Sequence, residues 1–125
     1  SEVAVDVLRA GGKRERAKVL RASASHSQPE KGASLAVDGD PGTTWAIGPE
    51  FGKSHHLVLT FAPPLDLAAD DRLEVVLDQS NGSGRVLGRF RLGVADAPRA
   101  VLCAVPPPVA ERLRASPRDP AGDVV

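Results

Sequence analysis

Ala36-Val37-Asp38-Gly39-Asp40-Pro41-Gly42-Thr43-Thr44-Trp45 holds two carboxylates two residues apart, a glycine between them, a Pro-Gly step, two hydroxyls and the single tryptophan of the chain. Two chemistries fit it. Asp-x-Asp with threonine oxygens on a tightly curved backbone gives the hard oxygen ligands that Ca²⁺ prefers. Asp-Gly and Pro-Gly are equally ordinary turn dipeptides, and aspartate readily caps its own backbone. The flanking sequence has to decide between them.

Outward from this loop the chain reads as strands and turns. Val3, Val5 and Val7 alternate with Ala4 and Asp6, as a half-buried strand requires. Gly11-Gly12 breaks that strand, and Lys13-Arg14-Glu15-Arg16 is expected in a solvated hairpin loop. A second extended run covers Ala17 to Ala22 and fades into the loop His26-Ser27-Gln28-Pro29. Ala33 to Val37 fits either a helical turn or a strand entering the Asp-Gly loop. Trp45 to Ile47 begins another extended segment, closed by Gly48-Pro49, and Glu50 to Ser54 is a loop.

His56 to Phe61 is the clearest strand, with Leu57, Leu59 and Phe61 on one side and Pro63-Pro64 ending it. Arg72 to Gln79 follows with Leu73, Val75 and Leu77 toward the core. Asn81-Gly82 is a strong hairpin signal, and Val86 to Val94 is expected to return as a strand. That strand puts Phe90, Leu92 and Val94 inward and Arg89 and Arg91 outward, as partners of Glu74 and Asp78 across the sheet. Ala100 to Val105 is a last short strand. Regularly spaced strands with Gly and Pro turns and almost no helical periodicity predict an all-β antiparallel sandwich.

After Pro106-Pro107-Pro108 the pattern changes. Val109 and Leu113 at i, i+4 predict a short C-terminal helix over 109–115, and Ser116 to Val125 reads as tail or linker. The expected organisation is therefore a sandwich domain over 1–105 and a helix with linker over 106–125, leading toward a following domain. With no methionine, the chain is expected to be a piece of a longer protein.

At 125 residues the chain has the length for one two-layer domain. Sixteen basic and sixteen acidic residues cancel, so no global field favours nucleic acid or an anionic membrane. No apolar run approaches the roughly 18 residues of a membrane span. Cys103 stands alone, so no disulfide framework forms within the chain, and its apolar neighbours make it a small buried hydrophobe.

Ser23-Ala24-Ser25, then Ala36-Val37-Asp38-Gly39 with Thr43 and Trp45, resembles the signature of the galactose-binding-like β-sandwich (jelly-roll) superfamily, which includes discoidin domains and many carbohydrate-binding modules. Asp38-Gly39, Trp45-Ala46-Ile47, Phe51-Gly52-Lys53-Ser54-His55, Leu77-Asp78-Gln79 and Leu87-Gly88-Arg89-Phe90-Arg91-Leu92 also occur in the order found in one of its families. That family is the sandwich domain embedded in large exported bacterial proteins that also carry cytochrome c and unknown-function domains. This second resemblance covers about Ser1 to Ala97.

The resemblance implies a structural Ca²⁺ held by the carboxylates of Asp38 and Asp40, the hydroxyl or carbonyl of Thr43 and the Ala36 carbonyl. A late acidic residue would complete the set. Asp96 stands nearest that place, where the family's usual Glu is missing. The resemblance also implies a ligand site in the loops at one end, built from an aromatic face and polar side chains. His26, Gln28, Trp45, Phe51, His55 and Asn81 are the candidates, although Trp45 occupies a common core position of the superfamily and Asn81 is a turn former. A periplasmic or extracellular location and a monomeric state go with it.

Catalysis is not expected. Hydrolysis by paired carboxylates needs two acids across a cleft, whereas Asp38 and Asp40 share one turn. No nucleophile-elbow pattern occurs, and adjacent residues such as His55 and His56 point to opposite faces of an extended chain. The expected function is that of a non-catalytic carbohydrate-binding module taking a polysaccharide. The alternative is a structural or interaction domain that positions its neighbours and has no glycan ligand, a reading favoured by the small number of aromatic rings.

Overall fold

The computed structural model describes residues 1–82 and 84–94. The expected strand over 100–105, the helix over 109–115, the tail, Cys103 and Asp96 lie outside the described residues.

Among the described residues five strands form two antiparallel sheets. They are β1 (Glu2–Leu8), β2 (Arg14–Arg16), β3 (Val19–Ala24), β4 (Leu57–Phe61) and β5 (Arg72–Asp78). The first sheet has the order β2-β1-β5 and the second pairs β3 with β4. Strands are therefore nearly all of the regular secondary structure among the described residues, whose only helical element is a 3-10 turn at Ala33–Ala36. Among the described residues no helix is long and apolar enough to cross a membrane.

The valine alternation in β1 works as expected. Val3, Val5 and Val7 stand opposite Leu77, Val75 and Leu73 of β5, so the two strands share one apolar face. Val5, Val7, Ala17, Ala33 and Ala36 are buried, with the 3-10 turn closing over the sheets. Burial of small apolar groups is the main driving force in a core this size.

The hairpin after β1 is tighter than expected. The Gly12 amide donates to the Arg9 carbonyl at 2.9 Å, and the Arg9 amide donates to the Lys13 carbonyl at 2.8 Å. Gly12 takes φ 88°, a left-handed conformation that a Cβ would strain. The turn returns Arg14–Arg16 as β2, so part of the basic cluster read as a loop is a strand, with Arg16 opposite Asp6. Charge alternation hid it, because the buried partner of these arginines is itself charged.

β3 begins two residues later than its apolar run and extends through the serine-containing stretch to Ala24, paired with β4. A register shift between Val19 and Arg21 turns Leu20 out to solvent. All of β4 is half-buried, so the one-sided face expected for Leu57, Leu59 and Phe61 is covered little better than the other. Trp45–Ile47 forms no named strand, but Ala46 bridges the first loop. Its carbonyl accepts from the Gln28 amide at 2.7 Å, and its amide donates to the Lys31 carbonyl at 3.3 Å.

The largest departure concerns residues 86–94. No strand forms there, and Phe90, Leu92 and Val94 are exposed rather than inward. Arg89 and Arg91 are not the partners of β5: Glu74 is paired with Arg14, and Asp78 accepts from the Ser80 amide at 2.8 Å. Alternation sets which residues share a face, but the neighbouring edge decides whether the strand is used.

Candidate binding sites in the loops

Five of the six candidate ligand residues come together where the loop 26–31 meets 45–55. Trp45 anchors the junction. Its indole N–H lies 3.0 Å from the His26 carbonyl and 3.1 Å from the Ser27 hydroxyl, so the polar edge of the ring is spent inside the protein. The histidines serve the same loops. His26 Nε2 lies 3.3 Å from the Gly48 carbonyl and His55 Nε2 lies 2.7 Å from that of Glu50, with the two ring centroids 5.7 Å apart. The Ser25 hydroxyl accepts the His56 amide at 3.0 Å and lies 3.5 Å from His55 Nδ1.

Phe51 and Gln28 face outward beside this frame. With Pro29, Gly48 and Pro49 they line a shallow cavity of about 330 Å³. The Phe51 ring is the most accessible aromatic of the chain, on a residue 67% exposed. Gly48 permits the arrangement: a Cβ there would stand 2.7 Å from Gln28 Oε1 and 3.1 Å from Phe51 Cζ. A side chain at this position would push the Gln28 amide and the Phe51 ring away from the positions they hold over this backbone.

Asn81 is not part of that site. Its Nδ2 reaches the carbonyls of Gly42 at 2.6 Å, Thr43 at 3.2 Å and Pro41 at 3.3 Å, tying the segment after β5 to the Asp-Gly loop. The Ser1 backbone nitrogen lies 2.6 Å from the Thr43 carbonyl and 3.1 Å from that of Pro41. The Pro41, Gly42 and Thr43 carbonyls thus converge on nitrogen donors from two distant segments.

The Asp-Gly loop itself is an oxygen cluster centred on Thr43. Its hydroxyl lies 2.9 Å from both carboxylate oxygens of Asp38, 3.0 Å from the Asp40 carbonyl and 3.1 Å from the Leu35 carbonyl. One hydroxyl proton serves one of these acceptors, and the other oxygens crowd without it. The roles within the loop differ from the expected set. Asp40 faces the cluster through its carbonyl, while its carboxylate caps the Gly42 amide at 2.7 Å. The carbonyl near Thr43 is that of Leu35, not of Ala36.

Two acids meet at the rim. The Asp40 amide at 3.0 Å, followed by the Thr43 hydroxyl, holds the Asp38 carboxyl below its ordinary range. Glu2 accepts the Gly39 amide at 3.2 Å through Oε2, and its Oε1 is buried without a hydrogen-bond partner. Burial, together with the neighbouring Asp38 carboxylate, pushes the Glu2 carboxyl up. The sequence reading missed Glu2 because it lies 36 residues from Asp38 and is brought there only by β1. Among the described residues no three His, Cys, Asp or Glu side chains form a metal-binding group, so a cation in this loop would depend on carbonyl and hydroxyl oxygens.

Comparison with protein-family models, curated proteins and solved structures found no match. The functional reading therefore rests on the residues themselves.

Proposed function

We propose that the chain is a non-catalytic carbohydrate-binding domain of the galactose-binding-like type, a jelly-roll sandwich that takes a glycan on Phe51 at its loop end. The exposed Phe51 ring beside the Gln28 amide carries this reading. A sugar ring presents an apolar C–H face that stacks on an aromatic plane, and its hydroxyls need fixed donors and acceptors at the edge. Gln28 offers both kinds of group, and Trp45, His26 and His55 hold the loops that carry it. The reading includes export to the periplasm or beyond, as an accessory domain of a larger bacterial chain.

Structural Ca²⁺ belongs to the same proposal. The Asp38 carboxylate, the Thr43 hydroxyl and the carbonyls of Leu35 and Asp40 are hard oxygens within reach of one another, a donor set that suits the ion. Calcium there would pin the loop rather than do chemistry.

The test is a glycan array of plant, algal and bacterial polysaccharides, followed by titration of any positive with the Phe51→Ala variant. Binding is expected to fall at least tenfold, the effect of about 1.4 kcal/mol of lost stacking, with the melting temperature unchanged. Silence across the array would sink the glycan reading. It would favour a positioning domain, a reading that the exposed Phe90, Leu92 and Val94 also support. For calcium, excess ion against chelator should raise the melting midpoint by mass action, and Asp38→Ala should abolish the rise.

A further inference from the structure

β5 pairs with β1 along its full length, and among the described residues its other edge is open. An open edge exposes a row of backbone donors and acceptors that a further strand can satisfy. Twelve residues downstream of its end begins an exposed stretch with a strict two-residue alternation, Phe90-Arg91-Leu92-Gly93-Val94. We propose that residues 87–94 are a strap that closes on the free edge of β5 as a fourth, antiparallel strand, with Leu87 opposite Asp78 and Val94 opposite Asp71.

Side-chain chemistry selects that register. With Leu87 opposite Asp78, Phe90 falls opposite Val75 and Leu92 opposite Leu73. The apolar face of the sheet then continues in two rows, Val5-Val75-Phe90 and Val7-Leu73-Leu92. On the other face Arg91 falls opposite Glu74, completing a row that runs Arg16, Asp6, Glu74, Arg91 across the four strands. Its two acids are then flanked by an arginine on each side. A slip of one residue would set Arg89 and Arg91 against Val75 and Leu73 and Phe90 against Glu74, reversing every side chain.

The Leu87 amide donates to Gln79 Oε1, which holds Leu87 near the residue that follows β5. The Asn81 amide group, bonded to the Pro41–Thr43 carbonyls, fixes the base of the link. Closure buries Phe90 and Leu92, now 58% and 60% exposed, and caps the edge. The strap occupies the same edge that a neighbouring chain would otherwise use.

Two measurements on the full chain test this. Amide hydrogen exchange on the unmodified protein should show alternate amides over 87–93 slowed at least about tenfold, those directed at β5, since a closed strand protects every second N–H. Uniformly unprotected amides would overturn the strap. In a Cys103→Ser background, Glu74→Cys with Arg91→Cys should oxidise to an intrachain disulfide. Glu74→Cys with Phe90→Cys should not, because directly opposite positions alone face each other at bridging distance. Equal oxidation of both pairs, or bridges formed only between chains, would overturn closure within one chain and assign the edge to a second copy.

Discussion

Asp6, only 3% exposed, accepts a 3.0 Å hydrogen bond through Oδ2 from Arg14 Nη1 across the β1–β2 hairpin. Its other oxygen accepts from Arg16 Nε. Arg16 stands directly opposite Asp6 and Arg14 on the diagonal, so one buried carboxylate organises both ends of β2. Arg14 in turn reaches Glu74 on β5, which links three strands through one guanidinium.

A buried charge is tolerated only with its partners in place. Asp6→Asn is expected to lower the melting temperature by several degrees at neutral pH. Arg14→Ala or Arg16→Ala alone should cost less, because the carboxylate keeps one arginine in each. Thermal melts of the three variants decide this, and an Asp6→Asn midpoint equal to wild type would refute the organising role.

Arginine hydrogen bonds pull the Asp6 and Glu15 carboxyls below their ordinary range, and Asp71 is pulled down by the Ala68 amide and then by Arg9. Groups with depressed folded-state pKa values contribute stability above their unfolded value, about 4, and lose it as pH falls through the folded value. Glu2 runs the other way: its raised pKa favours the fold at acid pH, and that contribution is lost as pH rises through the folded value. The Asp38, Glu50 and Asp78 carboxyls are lowered as well, so six groups oppose one; unfolding midpoints should drop below about pH 4, and Asp71→Asn should flatten that drop. Urea midpoints against pH measure it, and a Asp71→Asn curve parallel to wild type would contradict the assignment.

Trp45→Phe keeps an aromatic ring but removes the N–H shared by the His26 carbonyl and the Ser27 hydroxyl. The loss should be about 1 kcal/mol. Because His26 and Gln28 belong to the same loop, amide exchange over residues 26–31 should speed up more than over β1. Chemical denaturation gives the first quantity and exchange the second, with a uniform change across both segments as the contrary result.

Val7→Ala empties part of the small core, where Val7 is 3% exposed. Truncation there should cost about 1–2 kcal/mol through lost transfer energy and a residual cavity. The same change at exposed Val76, on the opposite face of β5, should cost less than half as much. Denaturation midpoints of the two variants provide the comparison.

Much of the fold was legible because local patterns agreed with their partners. Valine alternation marked β1, Leu73, Val75 and Leu77 marked β5, and glycine marked the hairpin between β1 and β2. Five of the six loop candidates lie at one junction of two loops, where Gln28 and Phe51 line the cavity and His26, Trp45 and His55 bond within the loops. Asn81 was misplaced because a turn residue's side chain gives no sign of which distant carbonyls it will meet. β2 and Glu2 were missed for a related reason: their partners Asp6 and Asp38 lie far away or carry charge, and a hydrophobic pattern records neither.

The sequence by itself determined the antiparallel β character, the positions of most strands and the oxygen-rich Asp-Gly turn, because side-chain alternation and turn chemistry act over a few residues. Tertiary structure alone decided that Arg14–Arg16 pairs as a strand, that Glu2 faces Asp38, that Gly48 lets Gln28 approach Phe51, and that Val86 to Val94 lies outside the sheet. Each of these depends on which surfaces meet across tens of residues, and burial and electrostatics take their sign from that meeting rather than from the local pattern.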